Sequence, residues 1–171
     1  RAGIIAVASG EINSAMVVGV EKMTDSAPDE VTSALATAAD SDWELEQGVS
    51  FVSLNALIMR RYMHEYGWKH EDFAPFSINA HANAVHNPNA RLPFAITKKQ
   101  YMNATMVAAP INLMDASPIG DGAAAALIVP LDTVRGEKQA IQIAGSGSAT
   151  DTLSIHSRKK PLFLQAAYLS A

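Results

Sequence analysis

The sequence predicts an α/β domain: a mixed sheet covered by helices, with a helical segment inserted into it. Three observations carry that prediction. Residues 15–20 (Ala-Met-Val-Val-Gly-Val) are apolar without alternation, the pattern of a strand covered on both faces. Residues 117–122 (Ser-Pro-Ile-Gly-Asp-Gly) make a polar, glycine-rich turn that runs into Ala123-Ala124-Ala125-Ala126-Leu127-Ile128-Val129, a second buried strand stopped by Pro130. Between them Phe51, Leu54, Ile58, Tyr62 and Tyr66 recur every three or four residues, the spacing of an amphipathic helix.

Taken in order, residues 1–10 end a helix. Ile4, Ile5 and Ala8 give it an apolar face, and Gly10 occupies the place of a C-terminal glycine. From Thr24 to Ser41 the composition turns to Asp, Ser, Thr and Pro28, which predicts loop, and Asp40-Ser41-Asp42 is placed to cap a short acidic turn. The helix through Phe51 and Tyr66 stops at Gly67. A second helix follows, with Glu71 and Asp72 in its first turn and Phe73, Phe76, Ala80 and Ala84 on one side. Asn87-Pro88-Asn89-Ala90-Arg91-Leu92-Pro93 breaks the helical pattern, and Thr97 caps a short helix. Residues 106–111 are an apolar extended passage towards Ser117. Residues 140–144 alternate as a strand, and Pro161 opens a final helix.

Composition narrows the function. At 171 residues, 49% hydrophobic and 18% charged, the chain has the make-up of a folded globular protein with a sizeable core. A net charge of −4 argues against nucleic-acid binding, which relies on a local excess of Lys and Arg. No apolar run is long enough to span a bilayer, and no secretory leader is visible. The residues include no Cys, so they contain neither disulfide nor thiolate nucleophile. The chain opens inside a helix and stops in a helical pattern without a stop signal, so the expectation is the central part of a longer polypeptide.

Several residues are candidates for chemistry. Gly120 and Gly122 allow positive φ or a close approach of backbone to a ligand, while Ser117 and Asp121 offer oxygens to nearby N–H groups. The alternative is a tight loop-to-strand junction with no further role. His81 is either a packed, hydrogen-bonded residue or one that faces substrate. His81 and His86 lie five residues apart, which does not bring two rings to one helix face, and no carboxylate adjoins them; no metal site is expected. Glu21 ties a strand end to neighbouring backbone or, less simply, serves as a catalytic carboxylate. Arg91, Lys98, Lys99, Arg158, Lys159 and Lys160 are cations on solvated faces or partners for phosphate.

The order of these segments resembles the thiolase superfamily. A helix ending in Ser9-Gly10-Glu11 leads to a strand closing on Gly19-Val20-Glu21-Lys22-Met23; about a hundred residues later comes Asp121-Gly122-Ala123-Ala124. The stretch His81-Ala82-Asn83-Ala84-Val85-His86-Asn87-Pro88 is similar to the branch containing sterol-carrier-protein-type and archaeal acetyl-CoA acetyltransferase-like thiolases. The resemblance implies a partial thiolase-like fold. Residues 1–23 would end the N-terminal half, 24–116 would form the inserted loop domain, 117–135 would give the last strand of that half, and 136–171 would begin the C-terminal half.

It further implies an acyl-CoA C-acyltransferase that forms or cleaves a carbon–carbon bond beside a CoA thioester. Such chemistry needs a thiolate, a base and oxyanion holes. In the family these come from segments that do not occur in this sequence, so no catalytic residue is assigned and these residues alone are expected to be inactive. Substrate binding is the implied contribution: Ser117 and Gly120 on the pantetheine path, His81 where the branch carries a histidine, and Arg91 as a cation for the phosphates of CoA. CoA enters as substrate, and no cofactor is implied. Two alternatives share the resemblance: a retro-aldolase acting on CoA-linked steroid side chains, and a non-catalytic acyl-CoA-binding or scaffold subunit. The expected partners are a second copy in a homodimer or higher oligomer and, in the aldolase case, a small OB-fold subunit. The expected location is the cytoplasm.

Overall fold

A computed structural model describes residues 1–137 and 139–171. The chain divides into two compact units, a sheet unit of residues 1–25, 120–150 and 165–171 and a helical unit of residues 26–119 and 151–164.

In the sheet unit, helix α1 (Ala2–Ala8) packs on strand β1 (Ala15–Glu21). The apolar stripe of α1 ends as its glycine predicts. The Gly10 amide donates to the Val7 carbonyl at 3.1 Å, and Gly10 has φ of 77°, a conformation that side-chain-bearing residues resist. Close packing is made possible by Gly3, where an added Cβ would lie 3.3 Å from Ala15 and Val17. Strand β1 pairs antiparallel with the strand of the Gly-Ala run, Gly122–Ile128, in the register Ala15 to Ile128 through Glu21 to Gly122.

This sheet corrects two expectations. Among the described residues it has two strands and is antiparallel, not mixed. Nor is either strand buried: Val18 is 63% exposed and Leu127 65%. Apolarity without alternation describes the surroundings a strand suits, and α1 supplies only part of such surroundings here. Residues 140–144 form no strand, and the final helix, Gln165–Ser170, starts four residues after Pro161.

Helix α2 (Pro28–Ala36) occupies the stretch read as loop; Pro28 in its first turn and Asp29 and Glu30 beside it are helix-start signals masked by the Ser/Thr content. Asp40 caps a π-helical turn (Ser41–Leu45) by accepting from the amides of Asp42 and Trp43. Helix α3 (Phe51–Tyr66) begins at a Ser50 side chain that accepts from the Ser53 amide and ends at left-handed Gly67, as the periodicity predicts. A 3₁₀ turn (His70–Phe73) leads into α4 (Ala74–Ala84). Its buried side is Ala74, Ser77 and His81, not the side containing Phe76, which is 72% exposed. Helix α5 (Lys98–Met102) carries the capping box of Thr97 and Gln100. The apolar passage that follows folds back on itself as β2 (Met106–Ala108) and β3 (Ile111–Asn112), and the strand Gly122–Ile128 becomes β4 in chain order. Ala74, Ile96 and Tyr101 form the core, with Ile78 and Met114 against it.

Candidate functional site

The segment 116–120 carries Ser117 and runs from one unit to the other, and a carboxylate stands at each end of it. In the helical unit, Asp115 collects the polar groups around it. Its Oδ1 accepts from the Ser77 hydroxyl at 2.9 Å, and its Oδ2 accepts from the Tyr101 hydroxyl and from the Asn112 amide, both at 3.1 Å. The Asn112 side chain donates to the Tyr101 carbonyl at 2.8 Å and accepts from the Met114 and Asp115 amides at 2.8 and 3.2 Å. The imidazole of His70 stacks on the Tyr101 ring at 4.9 Å, and its Nε2 lies 3.9 Å from Asp115. Burial first, then the charge and hydrogen bond of Asp115, push the Tyr101 phenol well above its ordinary value. Tyr101 and Asn112 are wholly buried, so every polar atom they bring must be answered inside the protein.

In the sheet unit, Asp121 closes the other end. Its Oδ1 accepts from the amides of Met23 and Thr24 at 2.8 and 3.0 Å; its Oδ2 meets the Thr24 hydroxyl and Lys22 Nζ, the latter at 2.9 Å. The hydrogen bond from Thr24, then that from Lys22, then the two backbone amides hold its carboxyl far below the usual range. Lys22 is raised in turn, by its bonds to Asp25 and then Asp121. The two signature segments, Gly19 to Met23 and Asp121 to Ala124, thus meet through one carboxylate. Glu21, to which sequence reasoning gave the tying role, accepts from the amide of Lys22 alone among the described residues.

The four residues expected to bind substrate divide as follows. Ser117 is exposed, two residues after Asp115. His81 is buried; its Nδ1 donates to the Phe94 carbonyl at 2.9 Å, and its ring lies 4.9 Å from that of Phe94. His81 sits one turn beyond Ser77 on the same side of α4, so the helix face that carries His81 also holds the segment leading to Ser117. Arg91 is exposed in the loop between α4 and α5, with no hydrogen bond or ion pair among the described residues. Gly120 opens the sheet unit and is half-buried. The left-handed glycines among the described residues are Gly10, Gly48, Gly67 and Gly136, and an added Cβ on Gly122 would meet open space. Gly120 and Gly122 are not among the left-handed glycines. Sequence reasoning missed Asp115, Tyr101, Asn112, His70 and Ser77. The available signal was Asn112 three residues before Asp115, the spacing of side chains that cap a turn.

No family model matches the chain. It is 46% identical over 160 residues to an acetyl-CoA acetyltransferase of Methanothermobacter thermautotrophicus, covering 93% of this chain and 41% of that protein. It is 38% identical over 174 residues to an acetyl-CoA acetyltransferase of Methanocaldococcus jannaschii, covering 100% of this chain and 44% of the relative. Among solved structures, a chain of an Ltp2-ChsH2(DUF35) aldolase superposes with a TM-score of 0.73 at 25% identity, covering 95% of this chain and 43% of that one. The chain belongs to the thiolase superfamily. Within that family it spans less than half the length of the curated relatives it matches. Asp121, at the head of the Gly-Ala strand, fastens that strand to the end of its antiparallel neighbour.

Proposed function

We propose that these residues supply the substrate-binding part of an acetyl-CoA acetyltransferase-type enzyme, which makes or cleaves a carbon–carbon bond next to a CoA thioester. The observation that carries this reading is the 46% identity, along 93% of the chain, to an acetyl-CoA acetyltransferase. The 171 residues contain no Cys, so a thiolate nucleophile belongs to other parts of the polypeptide and the contribution of this portion is binding and support. In this reading Ser117, two residues after the Asp115 network in the helical unit, and Gly120, next to the Asp121 clamp in the sheet unit, lie on the pantetheine path, His81 stiffens α4, and a CoA thioester is the substrate with no further cofactor. The arrangement of the whole protein as a cytoplasmic dimer with an inserted loop domain is part of the same proposal, and the outer edges of β1 and β4, unpaired among the described residues, suit a two-fold contact.

A second reading, cleavage of CoA-linked side chains by a retro-aldol step, is favoured by the aldolase structural neighbour. One assay separates the two. Thiolysis of a 3-ketoacyl-CoA breaks the Cα–Cβ bond, places the released acyl group on the sulfur of a second CoA and moves that thiol's proton to the α-carbon, consuming one free thiol per turnover. Retro-aldol cleavage of a 3-hydroxyacyl-CoA breaks the same bond, moves the hydroxyl proton to the α-carbon and releases a carbonyl compound with the thiol count unchanged. The full-length polypeptide that contains these residues is expected to consume thiol with acetoacetyl-CoA. Turnover of a 3-hydroxyacyl-CoA with no loss of thiol, and none of acetoacetyl-CoA, would replace the first reading by the second.

A further inference from the structure

Every backbone amide from Asn112 to Ala116 has an acceptor within the helical unit. The Asn112 amide donates to Asp115 Oδ2 at 3.1 Å, and the Leu113 amide donates to the Thr105 carbonyl at 2.8 Å. The Met114 amide donates to Asn112 Oδ1 at 2.8 Å, and those of Asp115 and Ala116 donate to the Asn112 carbonyl at 3.0 and 3.2 Å. Asp115 fastens this turn to the helices around it, since Ser77 of α4 and Tyr101 of α5 both donate to its carboxylate. The fixed stretch ends immediately before Ser117. Pro118 follows, and a proline ring restricts the backbone of the residue before it towards extended conformations. Ser117 is thus restrained from both sides, yet it is exposed and its hydroxyl makes no hydrogen bond among the described residues. The turn is held without that hydroxyl.

The carboxylate at the centre is unusual for a structural support. The Asp115 side chain is 16% exposed and, among the described residues, makes no ion pair with Lys or Arg; neutral donors hold it, with His70 Nε2 at 3.9 Å. An apolar side chain could support a turn with less desolvation, whereas a filled hydrogen-bond network fixes one geometry. A defined geometry that ends at an exposed, unused hydroxyl suits a group set in place for a ligand. We infer that Asp115 is a positioning residue, which through the 112–116 turn holds Ser117 for a hydrogen bond to the pantetheine arm of a CoA thioester. That arm carries amide N–H and C=O groups, and a serine hydroxyl can donate to the one kind or accept from the other. The inference rests on the acyl-CoA reading above and adds the residue on which the part played by Ser117 depends. Asp115 itself touches no substrate; its contribution is the placing of its neighbour.

Steady-state kinetics of the full-length protein, with acetoacetyl-CoA and free CoA as substrates, test it. Ser117→Ala should raise the KM for acetoacetyl-CoA about three- to tenfold with little change in kcat, the worth of one neutral hydrogen bond. Asp115→Ala should raise KM by a similar factor. In the Ser117→Ala background it should raise KM no further, because the group it places is gone. Asp115→Asn, whose carbonyl can accept from Tyr101 and Asn112 while its amide donates to Ser77, should recover most of the wild-type KM. Tyr101→Phe keeps the ring and removes one donor to Asp115; it should give a smaller KM rise, again absent without the Ser117 hydroxyl, and carries the test should Asp115→Ala fail to fold. The inhibition constant of adenosine 3′,5′-bisphosphate, which has the nucleotide of CoA and none of the arm, should stay the same in every variant. Equal KM rises from Asp115→Ala with and without the Ser117 hydroxyl would overturn the positioning role while leaving the acyl-CoA reading standing. A bisphosphate constant that rises in step with KM would overturn it too, since it marks general damage to the unit. An unchanged KM in Ser117→Ala would remove the contact to pantetheine. A wild-type protein that neither turns over acetoacetyl-CoA nor binds CoA would bring down both readings.

Discussion

The two units bury their residues in opposite ways. In the helical unit the buried set is rich in polar groups: Glu44, Ser77, His81, Asn112 and Ser154 sit beside Ala74, Ile96 and Tyr101. Among the described residues of the sheet unit, Val7 is the buried one, while Met16, Val18, Val20 and Leu127 are largely exposed. The helical unit is specified by donors and acceptors that answer one another about Asp115, and such a network admits few alternatives. The sheet unit rests on a seven-residue antiparallel ladder, the packing of α1 and the single polar clamp of Asp121. In one unit polar side chains fix the interior; in the other backbone pairing does most of the fixing.

The largest effect that would test this contrast is at Asp115. Asp115→Ala leaves the Tyr101 hydroxyl, the Ser77 hydroxyl and the Asn112 amide without their acceptor, and each stranded group costs about 1–3 kcal/mol. Since the groups are neighbours and can share relief, a total loss of about 3–5 kcal/mol is expected from chemical denaturation. A loss under about 1 kcal/mol would show that the network does not specify the unit.

The pH dependence of the units should run in opposite directions. Tyr101 has its phenol pKa raised in the folded state, so its neutral form is favoured there. The stability it contributes is complete below the unfolded-state value near 10 and is lost as pH rises through the folded value, with a slope of up to about 1.4 kcal/mol per pH unit. Tyr101→Phe should remove that alkaline slope and cost about 1–2 kcal/mol at neutral pH, where Asp115 loses one donor. An alkaline slope unchanged in Tyr101→Phe would assign it to other groups. Asp121 has its pKa depressed, so its contribution is present above the unfolded-state value near 3.9 and is lost as pH falls through the folded one. Hydrogen exchange at the Met23 and Thr24 amides should therefore stay protected through mild acid and lose protection only at strongly acid pH, and Asp121→Asn should weaken protection at every pH. Loss of protection already near pH 4 would mean that the clamp does not bind Asp121 as a carboxylate.

What the sequence revealed follows the same division. Features set by neighbours in the chain were legible: α3 from Phe51 to its stop at Gly67, the cap of Asp40, the cap at Thr97, the glycine after α1. The pairing partners Ala15–Glu21 and Gly122–Ile128 were legible as strands, yet their antiparallel register joins residues about a hundred positions apart and no local pattern encodes it. The face of α4 was misread because Phe76 is the largest apolar residue available, whereas Ser77 is buried to meet Asp115, a partner 38 positions away. For the site, Ser117 and Asp121 stood out by motif. The Asp115 network did not, since each of its members reads alone as an ordinary polar residue. Arg158 was visible only as part of a basic cluster; that its Nε is buried with no hydrogen-bond partner among the described residues is a property of packing.

The smallest expected effect bears most directly on the contrast between the units. Val18 lies in the middle of β1, opposite Ala125, and is 63% exposed. If the strand's faces stand as the structure has them, Val18→Thr keeps the β-branched shape that suits a strand, removes little apolar contact and changes stability by less than about 0.5 kcal/mol. Ala56, in α3 of the helical unit and 4% exposed, is the control: Ala56→Ser puts a hydroxyl into a packed site and should cost about 1–3 kcal/mol. A cost at Val18 equal to that at Ala56, measured in the full-length protein, would mean that other parts of the polypeptide or a second copy cover this strand, and the difference between the units would then belong to these 171 residues and not to the assembled protein.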